Sequence, residues 1–194
     1  MSSHVFMGLS YLKTGNAKQK EAYEVLTGLG IFGKLAAFSP VLAGTIPINI
    51  DIEGSDLDII CEMREPEVLA QILTAEYGSM QGYRMTRSET ADGIVMVCNF
   101  ASRSWPLEIF AQNRPVTEQN AFKHMVIEHR MLEYLGPGFR ERVRALKKDG
   151  FKTEPAFARI LRLEGDPYQA LLEMHDWNDE KLHPFLDQNW PGRS

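Results

Sequence analysis

Apolar positions along this chain follow two rhythms, and the change between them divides it. Between residues 17 and 30, Ala22, Val25, Leu26 and Leu29 recur at helical spacing, and Gly30 supplies a stop. Phe38 to Ala43 reads instead as a short buried strand that ends at Gly44, and residues 57–61 read as a second. The stretch 65–78 predicts a helix, with Pro66 in its first turn and Gly78 at its end. Three strands follow. Residues 82–90 alternate and are half exposed, 93–100 are more continuously apolar, and 106–111 are apolar except for Glu108. "TADG" at 90–93 carries the Asp-Gly pair of a hairpin turn that needs positive φ. From Thr117, an expected N-cap, the period is helical throughout. "EQNAFKHMVIEHRMLEYLG" is one helix, "GPG" at 136–138 breaks it, and helical segments follow near 138–149, 154–163, 167–175 and 178–189. The expected fold class is α+β. A mixed α/β sheet of about five strands with flanking helices occupies residues 1–115, and an all-helical part occupies 116–194.

Composition narrows the classes. A length of 194 residues fits one domain, or one domain with a helical appendage. The net charge of −5 argues against a whole-surface binder of nucleic acid or anionic membrane. Cys61 and Cys98 both lie inside apolar segments, so they read as reduced core thiols rather than a disulfide framework. The start "MSSHVFMGLSYLK" lacks the basic stretch and long apolar run of a signal peptide. No apolar run approaches ~18 residues, the length a membrane span needs. A cytoplasmic protein without a membrane segment is the expectation.

The chemistry-bearing stretch is "GSDLDIIC" at 54–61. Residues two apart on a strand point to the same side, so Asp56 and Asp58 share a face while Leu57 and Ile59 point away. Two carboxylates side by side repel, and each raises the other's pKa unless a cation intervenes. A hard divalent ion such as Mg²⁺ relieves that repulsion, since it takes oxygen ligands from carboxylates and substrate phosphates. Taken alone, the pair reads equally well as a polar turn leading into a strand. Two further features favour the metal. Gly44-Thr45 closes the first strand ten residues earlier, where a glycine admits a phosphate close to backbone and a hydroxyl can donate to it. Glu108 stands alone in the apolar "PLEIF", and a lone buried carboxylate is costly unless it is paired or metal-bound.

In this order the elements resemble the DNA polymerase beta superfamily of nucleotidyltransferases. "VLAGT", "SDLDIIC" and "PLEIF" stand where that family has a strand with Gly-Ser, an Asp-apolar-Asp strand and a later strand with a third carboxylate. "GTIPINIDIEGSDLDIICE" and "AFKHMVIEHRML" look more narrowly like a small bacterial family of uncharacterised nucleotidyltransferase-like proteins. The core resemblance spans about residues 36–112. It implies a nucleotidyltransferase-like core, with the helical part forming the far wall of a cleft. It also implies transfer of a nucleoside monophosphate from an NTP such as ATP to an acceptor hydroxyl, with pyrophosphate released. Asp56, Asp58 and Glu108 would be both the catalytic residues and the ligands of two Mg²⁺ or Mn²⁺ ions. Gly44, Thr45 and Ser55 would hold the nucleotide's phosphates. The acceptor could be a small molecule, a protein or RNA, and a homodimer is compatible with the sequence. The chain departs from the family pattern in Thr45 for Ser and Glu108 for Asp. Its loop with Ile46, Ile48, Ile50 and Ile52 carries Asp51 and Glu53 where basic residues are frequent.

Other residues carry weaker signals. His129 falls in the stripe of Phe122, Met125 and Leu132 and reads as a core histidine. His124, Lys123 or Arg130 would contact nucleotide or acceptor if their helix faces the cleft. Arg140, Arg144, Lys147 and Lys148 share one helical side, either a solvated face or a phosphate or RNA contact. Two other functions compete with transfer. One is a catalytically inactive nucleotide-binding module, such as one partner of a toxin–antitoxin pair. The other is a glycosyltransferase, whose D-x-D motif lacks the Gly-Thr element and the downstream strand carboxylate.

Overall fold

A computed structural model of the chain describes residues 3–91, 93–190 and 192. It divides into two compact units. One holds the described residues up to 49 together with 54–119, and the other holds 50–53 with the described residues from 120 onward.

The first unit opens with 3-10 turns at Ser3–Met7 and Ser10–Thr14, which the sequence pattern did not announce. Helix α1 spans Ala17–Leu29. Its N-terminus is a capping box: the Asn16 side chain accepts from Gln19 N at 2.8 Å, and Gln19 Oε1 accepts from Asn16 N at 3.0 Å. Gly30, at φ 68°, ends the helix in the left-handed conformation that a side chain resists. A short α2 (Ile31–Lys34) leads to β1 (Val41–Ala43). β1 is three residues shorter than expected. Ala36–Phe38 form a 3-10 turn, Ser39 is left-handed at φ 49°, and Pro40 has no N–H to give a ladder. β2 (Leu57–Glu62), α3 (Pro66–Tyr77), β3 (Gln81–Thr90), β4 (Gly93–Ser102) and β5 (Trp105–Gln112) lie close to their predicted places. At the hairpin, Thr90 Oγ1 donates to Gly93 O at 2.9 Å, and Gly93 has φ 108°; Asp92 of the expected Asp-Gly turn lies outside the described residues.

Among the described residues the sheet has five strands in the order β1-β2-β5-β4-β3. β2 and β5 are parallel, and the other neighbouring pairs are antiparallel. The parallel pair requires a crossover, which α3 and the β3–β4 hairpin supply. One sheet face presents Leu57, Ile59 and Cys61 of β2, Leu107, Ile109 and Ala111 of β5, and Met96, Cys98 and Phe100 of β4. Ala22, Val25 and Leu26 of α1 and Leu69, Leu73 and Tyr77 of α3 cover it. Fully burying such a side chain stabilises by roughly 1.5–3 kcal/mol. Tyr77 also stacks on Phe100, with ring centroids 4.9 Å apart. Burial pushes the Cys61 thiol up to about 12 and the Cys98 thiol to about 11.

The second unit contains α4 (Asn120–Leu135), α5 (Pro137–Lys148), α6 (Thr153–Leu161), α7 (Pro167–His175) and α8 (Asp179–Asn189). Thr117 is not the cap of α4. It sits inside a 3-10 turn, Val116–Glu118, and the helix begins three residues later. The last two helices have true side-chain caps: Asp166 accepts from Tyr168 N and Gln169 N, and Asn178 accepts from Lys181 N. Helix α4 packs against α5, α7 and α8, and α6 packs against α5, α7 and α8. Phe139 meets Phe157 and Trp190 edge-on, both at 5.4 Å. No helix among the described residues is long and apolar enough to cross a membrane.

Candidate functional site

Sheet pairing decides where the three sequence-predicted carboxylates go. In the parallel ladder Asp58 stands opposite Glu108, and on its other side Asp58 stands opposite Ala43, the last residue of β1. Partners in register point to the same face. Asp58 and Glu108, fifty residues apart in sequence, are therefore nearest neighbours about 5 Å apart across the strands. Leu57, Ile59, Leu107 and Ile109 turn into the covered face, so the two carboxylates point away from α1 and α3. Both residues are half-buried. Asp56, one step before β2, is exposed.

Electrostatics ties the third carboxylate to the pair. Glu108 is held above the ordinary glutamate range, first by burial and then by the negative charge of Asp56. Glu108 therefore senses the Asp56 charge as well as standing beside Asp58. The donor set is all-oxygen, which suits a hard divalent cation. The trio is not preassembled: among the described residues no group of three His, Cys, Asp or Glu side chains is close enough to hold a metal. Like charges with no cation between them have no reason to converge.

Gly44 fits the same face. It has φ 75°, and a Cβ built on it would lie 3.3 Å from Asp58 Cγ and on top of Oδ2. The Asp58 carboxylate thus occupies the space that any other residue at 44 would fill. Thr45 begins a turn over 45–49 in which Ile46, Pro47 and Ile48 are buried. Sequence reasoning missed what fastens this turn. Gln19 Nε2 donates to Ile46 O at 2.9 Å and to Pro47 O at 3.1 Å, from a side chain buried on α1. A polar residue on the inward stripe of α1, at the spacing of Ala22 and Leu26, was the available signal. Ser55 is half-buried, next to Asp56.

The row does not stop at Glu108. Asn99 of β4 stands opposite Glu108, and Arg84 of β3 stands opposite Asn99. One face thus carries Asp58, Glu108, Asn99 and Arg84 on four adjacent strands. The sequence could not reveal this, because the strand order that brings β4 between β5 and β3 is not written in any one segment.

The α4 residues named for nucleotide contact have partners inside the helical unit. His124 is buried: Nε2 lies 3.0 Å from Tyr168 O, and Nδ1 lies 3.4 Å from Glu154 Oε1. Arg130 donates to His175 O at 3.1 Å, to Trp177 O at 2.7 Å and to Asp179 Oδ1 at 2.8 Å. Both side chains tie α4 to the segments that follow it. His129 is half-buried, and its environment favours the neutral ring, chiefly through burial. The predicted basic side of α5 is divided: Arg140 pairs with Glu133 at 3.1 Å, Lys147 is buried, and Lys148 is exposed.

Several solved structures align with most of this chain. A structure of Cid1 in complex with its short product ApU aligns over 88% of this chain and 53% of its own, with a TM-score of 0.50 and 15% identity. A cytoplasmic RNA terminal U-transferase aligns over 80% of this chain and 46% of its own, with a TM-score of 0.49 and 17% identity. The GLD-2/RNP-8 complex aligns over 99% of this chain and 72% of its own, with a TM-score of 0.48 and 13% identity. The chain spans about half the length of the first two. No curated protein matches. The class defined by the sheet is therefore an α+β protein with the nucleotidyltransferase fold. Within that class residues 24–174 match a domain of unknown function, DUF4269, and the chain belongs to that family.

Proposed function

We propose that the protein is a metal-dependent nucleotidyltransferase. The observation that carries this reading is the register: Asp58 and Glu108 are side by side, with Gly44 left bare beside the Asp58 carboxylate. Asp56, Asp58 and Glu108 would hold Mg²⁺, which neutralises charge on the triphosphate and polarises the α-phosphorus. Gly44 opens the backbone to a phosphate oxygen, and Thr45 and Ser55 offer hydroxyl donors. Glu108 would accept the proton leaving the acceptor hydroxyl. The acceptor oxygen bonds to the α-phosphorus, the bond from that phosphorus to the bridging oxygen breaks, and pyrophosphate carries away the electron pair. Positioning and charge stabilisation supply most of the acceleration in such reactions.

The test is turnover of α-labelled ATP, GTP, CTP and UTP with Mg²⁺ or Mn²⁺, following pyrophosphate and any labelled adduct. Metal-dependent turnover that Asp58→Ala abolishes is the expected result. Turnover that survives Asp58→Ala would reject the site. Nucleotide-induced thermal stabilisation with no turnover would favour the inactive binding module.

A further inference from the structure

The row of side chains that begins at Asp58 continues past the third carboxylate, and its far end has the opposite charge. Asn99 faces the same side as Glu108 one strand on, and Arg84 follows one strand further. Asn99 is half-buried and Arg84 is exposed. Two strand spacings put the Arg84 backbone about 10 Å from that of Glu108. Among the described residues Arg84 has no ion-pair partner. The contrast with its neighbour is informative. Arg87, three residues on, points to the opposite face and is paired with Glu67 of α3 at 2.7 Å. Arg84 is the cation of β3 directed along the carboxylate row.

The rest of this face limits what can lie on it. The next row is Ile60, Phe110, Val97 and Thr86, and the one after is Glu62, Gln112, Val95 and Ser88. A single cation near the reacting carboxylates is followed by apolar and then neutral or acidic positions. A nucleic-acid strand crossing the face would need basic groups in succession to meet its phosphates, and each contributes to binding by releasing counterions. Arg64, just past the end of β2, is held by Glu62 at 2.7 Å, and within these rows Arg84 is the one cation among the described residues. A compact acceptor with one anionic group needs no more than that.

Resting on the proposed transfer reaction, we infer that Arg84 and Asn99 form the acceptor subsite, and that the acceptor is a small hydroxylated molecule bearing one phosphate or carboxylate. Its hydroxyl lies at Glu108, Asn99 hydrogen-bonds its polar body, and its anion meets the Arg84 guanidinium in a charge-assisted, two-pronged contact. The phosphate and the carboxylate share that contact, and matched acceptors of the two kinds distinguish them.

The experiment measures transfer from labelled NTP and Mg²⁺ to three acceptor classes: hydroxylated metabolites with one phosphate or carboxylate, their uncharged parents, and a short single-stranded RNA. The expected result is transfer to charged small molecules over their parents. Arg84→Ala should raise their KM about ten-fold or more, Arg84→Lys should restore part of the loss, and the KM for NTP should not move. Arg84 is exposed, so these variants are expected to fold as the parent does. Preferred transfer to RNA, equal use of charged and uncharged acceptors, or an acceptor KM indifferent to Arg84 would each overturn the inference. So would Mg²⁺–NTP binding without transfer to any of the three classes. A parent chain that binds no Mg²⁺–NTP would instead reject the transfer reaction itself.

Discussion

Replacing Gly44 by alanine tests the backbone and the carboxylate together. Two costs combine. A side chain at φ 75° sits in the left-handed region, which costs roughly 1–2 kcal/mol. The new Cβ also overlaps the Asp58 carboxylate, which must leave its rotamer at a cost of about 0.5–1.5 kcal/mol. The sum is about 1.5–3.5 kcal/mol, equivalent to a melting temperature lowered by roughly 3–14 °C in a protein of this size. A double-mutant cycle separates the shares. With Asp58→Ala already present the overlap is gone, and Gly44→Ala should cost only the backbone share. The assay is thermal unfolding of the parent, the two single variants and the double variant, without divalent metal. Gly44→Ala melting with the parent would refute the reasoning. An equal penalty whether residue 58 is Asp or Ala would refute the claimed contact.

Two other outcomes follow from the same structure. The folded state holds the Glu108 proton more tightly than the unfolded chain does. That share of stability is present at low pH and is lost as pH rises from the ordinary glutamate range through the raised folded value. Metal-free Glu108→Gln should therefore melt above the parent at neutral pH and converge with it in acid; melting curves across pH, repeated with Mg²⁺, measure both. Arg130→Met removes bonds to two carbonyls and a carboxylate, and should destabilise by about 2–3 kcal/mol while leaving the KM for NTP unchanged. A raised KM for NTP at parental stability would place Arg130 at the nucleotide.

The sequence was most informative where local chemistry and local structure coincide. Pro66 and Gly30 bound their helices as read, Pro66 through its missing N–H and Gly30 through a left-handed dihedral. The alternation of Leu57 and Ile59 against Asp58 also placed that carboxylate on the side of its strand away from the buried residues. One helix start was misread, and two α4 side chains have partners that the local pattern did not show. Thr117 has the right chemistry for a cap, but Pro115 and a buried Val116 direct that segment into a 3-10 turn. His124 and Arg130 looked like ligands because polar groups on an apolar helix suggest a cleft. Their partners, Tyr168, Glu154, His175 and Trp177, lie 30 to 47 residues downstream, in elements whose packing no local pattern predicts. The extension of the row to Asn99 and Arg84 was hidden for the same reason, since strand order is a property of the whole sheet.

On the proposed function, Asp56, Asp58 and Glu108 converge on divalent metal when a nucleotide binds. A crystal structure with Mn²⁺ and a non-hydrolysable NTP analogue, with the metal located by anomalous scattering, tests it directly. The expected result is metal touching carboxylates of both β2 and β5, with the triphosphate beside Gly44 and Thr45. Metal or triphosphate bound away from Asp58 and Glu108, or no metal at saturating nucleotide, would contradict it.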